Sequence, residues 1–153
     1  MEAKTEILVQ KLEASHLPSI ATLERNCFPE SYWSEDQILS HFESQQGIGI
    51  FHKSENFADK ILCYVLYLEN AWEIEILRIG TDPNYRRKNY ASLCLRNLIQ
   101  ENSSKTILLE VDANNSKAIQ LYRKHGFQFV DKRKAYYENG NDAHLFMRQG
   151  LLQ

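Results

Sequence analysis

The stretch LLEVDANNSKAIQLYRKHGF, residues 108–127, decides the fold. It opens on an apolar run typical of a short strand, which we place at Thr106–Val111. Asn115 suits the N-cap of a helix, because its side chain can accept a hydrogen bond from a backbone N–H of the first turn. Gly126 suits the helix end, since glycine adopts a left-handed backbone without strain. The stretch therefore predicts a strand, a helix over Ser116–His125 and a second strand after it.

Short apolar runs predict further strands on both sides of this stretch. Turn-forming residues separate them, as expected for strands of a sheet. The three runs in the middle of the chain suggest an antiparallel meander. We expect strands at Glu6–Leu12, Gly47–His52, Ile61–Leu68, Trp72–Thr81, Phe127–Val130 and Ala143–Met147.

Three more helices are predicted from capping residues and apolar spacing. Ser15 can cap the first. Ser34 and Gln37 have the spacing of a capping box at the start of the second. Asp82-Pro83 ends a strand, and a third helical pattern follows it. The expected order is β-α-α-β-β-β-α-β-α-β-β.

The composition is that of one compact domain. The 153 residues are 43% hydrophobic, and no repeat or linker divides them, so we expect a single domain over residues 1–153. The chain does not open with a secretory signal pattern, and no stretch approaches the roughly 20 apolar residues of a membrane span. We therefore expect a soluble, cytoplasmic protein without a membrane partner. The net charge of −2 argues against direct binding of nucleic acid.

Cysteine and histidine spacing gives no support to a disulfide framework or a metal site. Cys27, Cys63 and Cys94 are odd in number and far apart in the sequence. We expect them to be reduced and mostly buried. The five histidines form no HxH or HxxxH pair. No metal is expected.

A basic turn follows the predicted strand Trp72–Thr81. Residues 79–92 read IGTDPNYRRKNYAS, a strand end, a turn with Arg86, Arg87 and Lys88, and a helix start. Backbone N–H groups at a helix N-terminus lack partners and carry partial positive charge, so this junction suits an anion such as a pyrophosphate. A solvated basic turn without a ligand is the alternative.

Two stretches resemble the signatures of the GNAT acetyltransferase superfamily. Residues 86–91, RRKNYA, resemble its pyrophosphate loop Arg/Gln-x-x-Gly-x-Gly/Ala, with Asn89 in place of a glycine. Asparagine tolerates a left-handed backbone well, so we expect the turn to survive. Residues 115–127 resemble the family's Asn-x-x-Ala-x-x-Leu-Tyr-x-x-x-Gly-Phe in full register. The resemblance implies the GNAT acyltransferase fold, which is α/β (α+β) with a mixed, mainly antiparallel central sheet and helices on both faces.

The same resemblance implies that acetyl-coenzyme A is the cosubstrate, and it indicates which residues bind it and which take part in the reaction. Tyr122 matches the acid that returns a proton to the coenzyme A thiolate, and a tyrosine is protonated at neutral pH. Glu110 matches the proton acceptor proposed for ribosomal-protein alanine acetyltransferases. An ordinary half-buried tyrosine and a salt-bridged strand-end carboxylate are the alternatives, and Asn115 could serve only as a helix cap. The expected cofactor-binding residues are Ile79, Gly80, Thr81, Arg86, Arg87, Lys88, Asn89, Tyr90, Ala91, Ser92 and Asn115.

Two further stretches resemble the ribosomal-protein alanine N-acetyltransferases within that superfamily. They are CFPESYWS, residues 27–34, and RKAYYENGNDA, residues 133–143. Both loops flank the peptide groove in that subfamily, so Tyr136 and Tyr137 are candidates for holding the substrate's N-terminus. Glu75 is another candidate groove carboxylate. Aromatic packing and a cross-strand ion pair are the respective alternatives.

The resemblance implies an acyltransferase that acetylates the N-terminal α-amine of an alanine in a small-subunit ribosomal protein. An α-amine suits a single carboxylate base, because its pKa of about 8 leaves an appreciable neutral fraction at pH 7. The expected partner is that protein N-terminus, with no nucleic acid contacted directly. The alternatives are acetylation of another amine, such as a lysine, a polyamine or an antibiotic, and a catalytically silent domain that binds acetyl-coenzyme A.

Overall fold

The structure is a computed structural model that describes residues 6–53 and 60–151 of the chain. Within these residues the strands and helices follow the predicted order. The strands are β1 (Ile7–Lys11), β2 (Gln46–His52), β3 (Lys60–Glu69), β4 (Glu73–Thr81), β5 (Thr106–Asp112), β6 (Gln128–Arg133) and β7 (Ala143–Arg148). The α-helices are α1 (Leu17–Cys27), α2 (Glu35–Ser44), α3 (Tyr90–Glu101) and α4 (Ser116–Lys124). Short 3-10 turns lie at Ala14–His16 and Pro83–Tyr85.

The strands form one seven-stranded sheet in the order β1-β2-β3-β4-β5-β7-β6. β4 and β5 run parallel, with Glu75 opposite Leu108. β1 with β2, β2 with β3, β5 with β7 and β6 with β7 run antiparallel. A mixed, mostly antiparallel sheet confirms the predicted fold class.

Of the first two predicted helix starts, the structure confirms one and contradicts the other. The Ser34 hydroxyl accepts a hydrogen bond from the Gln37 N–H at 3.2 Å, and the Gln37 side chain accepts one from the Ser34 N–H at 2.8 Å. The predicted capping box is therefore confirmed. The prediction that Ser15 caps the first helix is wrong. Ser15 lies inside a 3-10 turn, and α1 begins at Leu17, where Pro18 fits because a first-turn residue needs no N–H donor.

The chain divides into two compact units. The described part of the first unit comprises residues 6–53, 60–67 and 78–98, and that of the second comprises residues 68–77 and 99–151. A buried cluster in the first unit is formed by Leu12, Ile20, Ala21, Leu23, Ile38, Phe51, Ile61, Tyr64 and Leu66. The second unit buries apolar side chains that include Ile74, Ile107, Leu109, Phe127 and Phe146.

One carboxylate lies in the core of the first unit. Glu24 of α1 is fully buried, and its Oε1 accepts a hydrogen bond from the Tyr64 hydroxyl at 2.5 Å. The Arg78 guanidinium donates to both carboxylate oxygens, at 3.0 and 3.2 Å. The Trp33 N–H donates to Oε2 at 2.7 Å, and Arg78 also donates to the Ser31 carbonyl. Each oxygen of the buried charge is thus hydrogen-bonded, as a buried ion requires.

Candidate active site

The first unit carries the segment predicted to bind phosphates. β4 ends at Thr81, and Asp82 turns the chain because its side chain accepts a hydrogen bond from the Asn84 N–H at 2.9 Å. Asp82 is buried and lies 3.6 Å from the Lys60 ammonium. The turn that precedes the basic run is therefore fixed by its own side chain and by an ion pair.

The loop after this turn contains two residues with a left-handed backbone. Arg87 has φ 66° and Asn89 has φ 61°, so the predicted left-handed conformation of Asn89 is confirmed. The Asn89 carbonyl accepts a hydrogen bond from the Leu93 N–H at 3.0 Å, so α3 begins directly after it. Alternation of left-handed and ordinary residues forms concave arrays of N–H groups, and a helix start adds partial positive charge. Arg86, Arg87 and Lys88 are exposed there.

Two of the three cysteines contact Thr81, and the third contacts one of those two, although all are far apart in the sequence. The Cys27 thiol donates to the Thr81 carbonyl at 3.2 Å, and the Thr81 hydroxyl lies 3.4 Å from the Cys63 sulfur. Cys63 and Cys94 are buried and interact with each other. Burial raises the pKa of the Cys27 thiol against the opposing effect of Arg86, which keeps it a hydrogen-bond donor at neutral pH. All three cysteines are free of disulfide bonds in the structure, with Cys63 and Cys94 buried and Cys27 partly buried.

The second unit carries Glu110, the predicted proton acceptor, on β5. Burial alternates along this strand, and Ile107, Leu109 and Val111 face the core. Glu110 lies on the opposite face, and its side chain is 21% exposed. The Arg133 guanidinium lies 3.2 Å from its Oε1. The structure therefore shows the salt bridge that the sequence left open as the alternative for this residue.

Tyr122, the predicted acid, is buried on α4. Its ring contacts Phe127 edge to face, with 5.8 Å between the centroids. Burial, with a further contribution from Tyr137, raises the pKa of Tyr122 above its ordinary value. The phenol therefore stays protonated at neutral pH, as a proton donor must be. The Asn115 side chain accepts from the Ala118 N–H at 3.2 Å, which confirms the predicted helix cap.

Tyr136 and Tyr137 lie in the hairpin that joins β6 to β7. Their rings contact edge to face at 5.2 Å, and Tyr136 is 50% exposed. The Arg133 guanidinium lies 5.5 Å from the centre of the Tyr136 ring. Tyr136 and Glu110 are thus linked through one arginine. Glu75 is exposed, and no cation in the described part of the chain pairs with it.

Asp112, to which no motif of the sequence assigns a role, accepts hydrogen bonds from two residues of this hairpin. Its Oδ2 accepts hydrogen bonds from the side-chain amides of Asn141 at 3.0 Å and Asn139 at 3.4 Å. Its Oδ1 accepts from the Asn114 N–H at 2.9 Å. The Asp-x-Asn turn was visible in the sequence, but its partners lie 27 and 29 residues away.

Residues 6–53 and 60–151 contain no group of three histidine, cysteine, aspartate or glutamate side chains that could hold a metal ion. Over the same residues, no helix combines the length and the apolar character that crossing a bilayer demands.

A family model described as the acetyltransferase (GNAT) family matches residues 17–127. The chain belongs to the GNAT acetyltransferase family. Both signature stretches lie wholly within the match, and the seven-stranded sheet is the fold found in solved GNAT relatives. The family resemblance predicted from the sequence is confirmed.

Individual relatives agree with this GNAT assignment. The ribosomal protein bS18-alanine N-acetyltransferase of Escherichia coli K12 is 30% identical over 134 residues, which are 84% of this chain and 86% of that protein. The N-alpha-acetyltransferase RimI of Mycobacterium tuberculosis is 37% identical over 78 residues, 50% of this chain. That match spans about half the length of the mycobacterial protein, 49%.

Solved GNAT structures show the same fold over nearly the whole chain. The ribosomal-protein-S18-alanine N-acetyltransferase from Escherichia coli superimposes with a TM-score of 0.85, at 25% identity and 97% coverage of both chains. Arabidopsis thaliana NAA60, solved in complex with acetyl-CoA, superimposes with a TM-score of 0.80 at 16% identity, covering 93% of this chain and 97% of that one.

Proposed function

We propose that the protein transfers an acetyl group from acetyl-coenzyme A to the N-terminal α-amine of an alanine in a small-subunit ribosomal protein. The observation that carries this proposal is the similarity to the Escherichia coli bS18-alanine acetyltransferase, which extends over 84% of the chain. The Phe-Pro...Trp-Ser and Arg-x-x-Tyr-Tyr stretches add support, because they lie outside the general GNAT signatures.

The basic loop of the first unit fits the pyrophosphate of acetyl-coenzyme A. Left-handed residues at positions 87 and 89 and the start of α3 provide N–H donors, and three exposed cations provide charge. NAA60, which shares the fold, was solved with this molecule. We assign its binding to Ile79, Gly80, Thr81, Arg86, Arg87, Lys88, Asn89, Tyr90, Ala91, Ser92 and Asn115.

The proposed chemistry is direct attack of the neutral amine on the thioester carbonyl. Glu110 accepts the proton that the amine loses, and Tyr122 gives its proton to the departing thiolate. The Arg133 side chain that pairs with Glu110 is 61% exposed, so solvent screens the pair and water or an incoming amine can exchange with the guanidinium. Glu75, Tyr136 and Tyr137 are assigned to the acceptor peptide.

Replacing Tyr122 with phenylalanine tests the proton donor. The variant keeps the buried ring against Phe127 and loses only the hydroxyl. We expect kcat to fall by about 100-fold or more, the usual contribution of a positioned acid, while the KM for acetyl-coenzyme A stays within about twofold. Steady-state release of coenzyme A measures both. A kcat equal to that of the parent protein would remove Tyr122 from the reaction.

Intact-mass spectrometry of ribosomal proteins tests the substrate. Cells with and without the gene are compared, and we expect one small-subunit protein with an N-terminal alanine to lose one acetyl group in the deletion strain. A panel of amines, including lysine peptides, polyamines and aminoglycosides, is assayed alongside with the purified enzyme. Unchanged ribosomal masses together with turnover of one panel amine would replace the proposed substrate.

A further inference from the structure

Asp112 and Glu110 share one face of β5. Side chains of a strand alternate between the two faces, and Ile107, Leu109 and Val111 occupy the buried face. In the β5–β7–β6 part of the sheet, Asp112 pairs with Ala143, and Ala143 pairs with Arg133. Asp112 is therefore in register with the arginine that binds Glu110.

The 134–142 hairpin, which follows Arg133, is connected to Asp112 and its neighbour by several hydrogen bonds. The Asn139 and Asn141 side chains both donate to its carboxylate. One residue on, the Ala113 N–H donates to the Asp142 carbonyl at 2.9 Å. The hairpin is thus attached to the end of β5 through its second half.

The hairpin backbone is locally strained near its first residues. Ala135 has φ 49°, a left-handed conformation that costs a non-glycine residue energy. It is held by a hydrogen bond from the Ala135 N–H to the Asp142 side chain at 2.9 Å. The Asp142 carbonyl also accepts the Ala113 N–H, so one residue connects the strained position with the end of β5.

Each tyrosine of the hairpin is coupled to one proposed catalytic residue of the second unit. Tyr136 lies beside Arg133, whose guanidinium pairs with Glu110. Tyr137 packs edge to face on Tyr136 at 5.2 Å and adds to the raised pKa of Tyr122. A shift of the hairpin would therefore alter the surroundings of both Glu110 and Tyr122.

We propose that Asp112 is a positioning residue for the acceptor, holding the 134–142 hairpin so that Tyr136 and Tyr137 stand beside Glu110 and Tyr122. The proposal rests on the proposed function, because it assigns the tyrosine pair to the acceptor peptide. Asp112 itself touches neither substrate. Its carboxylate acts through Asn139 and Asn141.

The ionisation of Asp112 agrees with this role. Burial alone raises the pKa of its carboxyl, but the hydrogen bonds from the Asn114 N–H and from the Asn141 and Asn139 amides outweigh burial and lower the pKa below its ordinary value. The carboxylate is therefore charged at every pH at which the enzyme would work. A charged acceptor makes the stronger hydrogen bonds to the two amides.

An exchange of the two partners tests the proposal. In Asp112→Asn, the new carbonyl oxygen can keep the hydrogen bond from the Asn114 N–H, which leaves the new NH2 group opposite the NH2 groups of Asn139 and Asn141. In Asn141→Asp, a second carboxylate faces Asp112. The double variant D112N/N141D restores one amide opposite one carboxylate, with the donor and acceptor reversed. Asp131→Asn is the matched control, because Asp131 is an exposed aspartate of β6 whose side chain accepts from the neighbouring Lys132 N–H.

The acceptor KM of an N-terminal alanine peptide and the KM of acetyl-coenzyme A are measured for each protein. We expect each single variant to raise the acceptor KM by about tenfold, the equivalent of about one hydrogen bond to a charged group. The double variant should recover at least half of this rise on a logarithmic scale. The control and the acetyl-coenzyme A KM should stay within about twofold. Amide hydrogen exchange of residues 134–142 should rise in the single variants and fall again in the double variant.

The possible outcomes distinguish a failure of the proposed function from a failure of the proposed role of Asp112. If the parent protein does not acetylate the peptide, the proposed function fails, and the role of Asp112 fails with it. If the parent turns the peptide over but D112N leaves the acceptor KM unchanged, only the role of Asp112 is overturned, whatever the exchange data show. Equal rises in both KM values, or single-variant effects that simply multiply in the double variant, also overturn it.

Discussion

Glu24 with Arg78 in the first unit, and Glu110 with Arg133 in the second, form ion pairs of nearly equal length, 3.0 and 3.2 Å. Their surroundings differ. The Glu24 side chain is 0% exposed and that of Arg78 17%, whereas those of Glu110 and Arg133 are 21% and 61% exposed. The first pair has four further protein contacts, from Tyr64, Trp33, Ser31 and the Phe28 ring.

The distance between two charges therefore does not show whether an ion pair stabilises the fold or leaves its partners free to exchange; the exposure of the side chains does. A buried pair cannot lose one partner without leaving a charge that water cannot reach, so it fixes the elements that carry it. An exposed pair is screened, and either partner can turn to water or to a ligand. The first pair fixes α1, the loop before α2 and β4 to one another. The second leaves its carboxylate available for exchange.

The largest expected effect comes from Arg78→Ala. We expect the free energy of unfolding to fall by about 3–5 kcal/mol, because the Glu24 carboxylate stays buried without its counter-ion. Urea unfolding followed by circular dichroism measures the loss. Arg25→Ala is the control, since Arg25 lies 3.9 Å from Glu35 with both side chains more than half exposed, and it should cost less than about 1 kcal/mol. If Arg25→Ala lowered the free energy of unfolding as much as Arg78→Ala, the buried Glu24–Arg78 pair would stabilise the fold no more than an exposed pair does.

A smaller effect is expected from Tyr64→Phe. The variant removes the hydroxyl that donates to Glu24 at 2.5 Å and keeps the ring in the core. A hydrogen bond to a charged group contributes about 1.5–3 kcal/mol, so the free energy of unfolding should fall by that amount. Tyr32→Phe, which removes a hydroxyl from a tyrosine that is 46% exposed, should change stability by less than about 0.5 kcal/mol. A Tyr64 variant as stable as its control would mean that Glu24 needs no third partner.

The smallest effect is expected from Arg133→Ala. The free energy of unfolding should change by about 0–1 kcal/mol, because the Arg133 side chain is 61% exposed and solvent screens its pair with Glu110. Repeating the measurement at high ionic strength sharpens the comparison: the Arg133 effect should shrink, while the Arg78 effect persists. A cost above about 2 kcal/mol would show that the second pair is as structural as the first.

Local features of the fold could be predicted from the sequence. The Ser34–Gln37 capping box, the Asn115 cap, the left-handed Asn89 and the left-handed Gly126, with φ 87°, all depend on residues within one turn of each other. The order of strands and helices followed from apolar spacing and from turn residues. Ser15 shows the limit of local patterns, because a capping box of Glu13 and His16 starts a 3-10 turn that includes Ser15, and α1 begins two residues later at Leu17.

Contacts between distant residues could not be predicted, because nothing in a single sequence pairs them. Glu24 and Arg78 are 54 residues apart, and Cys27 meets Thr81 over the same separation. The Glu110–Arg133 pair shows the same limit at the candidate site. The motif predicted Glu110 as a base and also allowed a salt bridge, but only the structure showed which cation was there. The roles of Glu110 and of the other proposed site residues stay predictions.

Gly80 and Tyr64 of the first unit limit each other's replacement. A Cβ atom at position 80 would lie 2.6 and 2.7 Å from atoms of the Tyr64 ring and hydroxyl, far inside any tolerated contact. A homologue with alanine at position 80 would have to displace or replace the aromatic ring at position 64 and would thereby lose the phenol that donates to Glu24. Homologues should therefore inherit the two positions together, so that a glycine in one strand marks the descendants that keep the tyrosine in its neighbour.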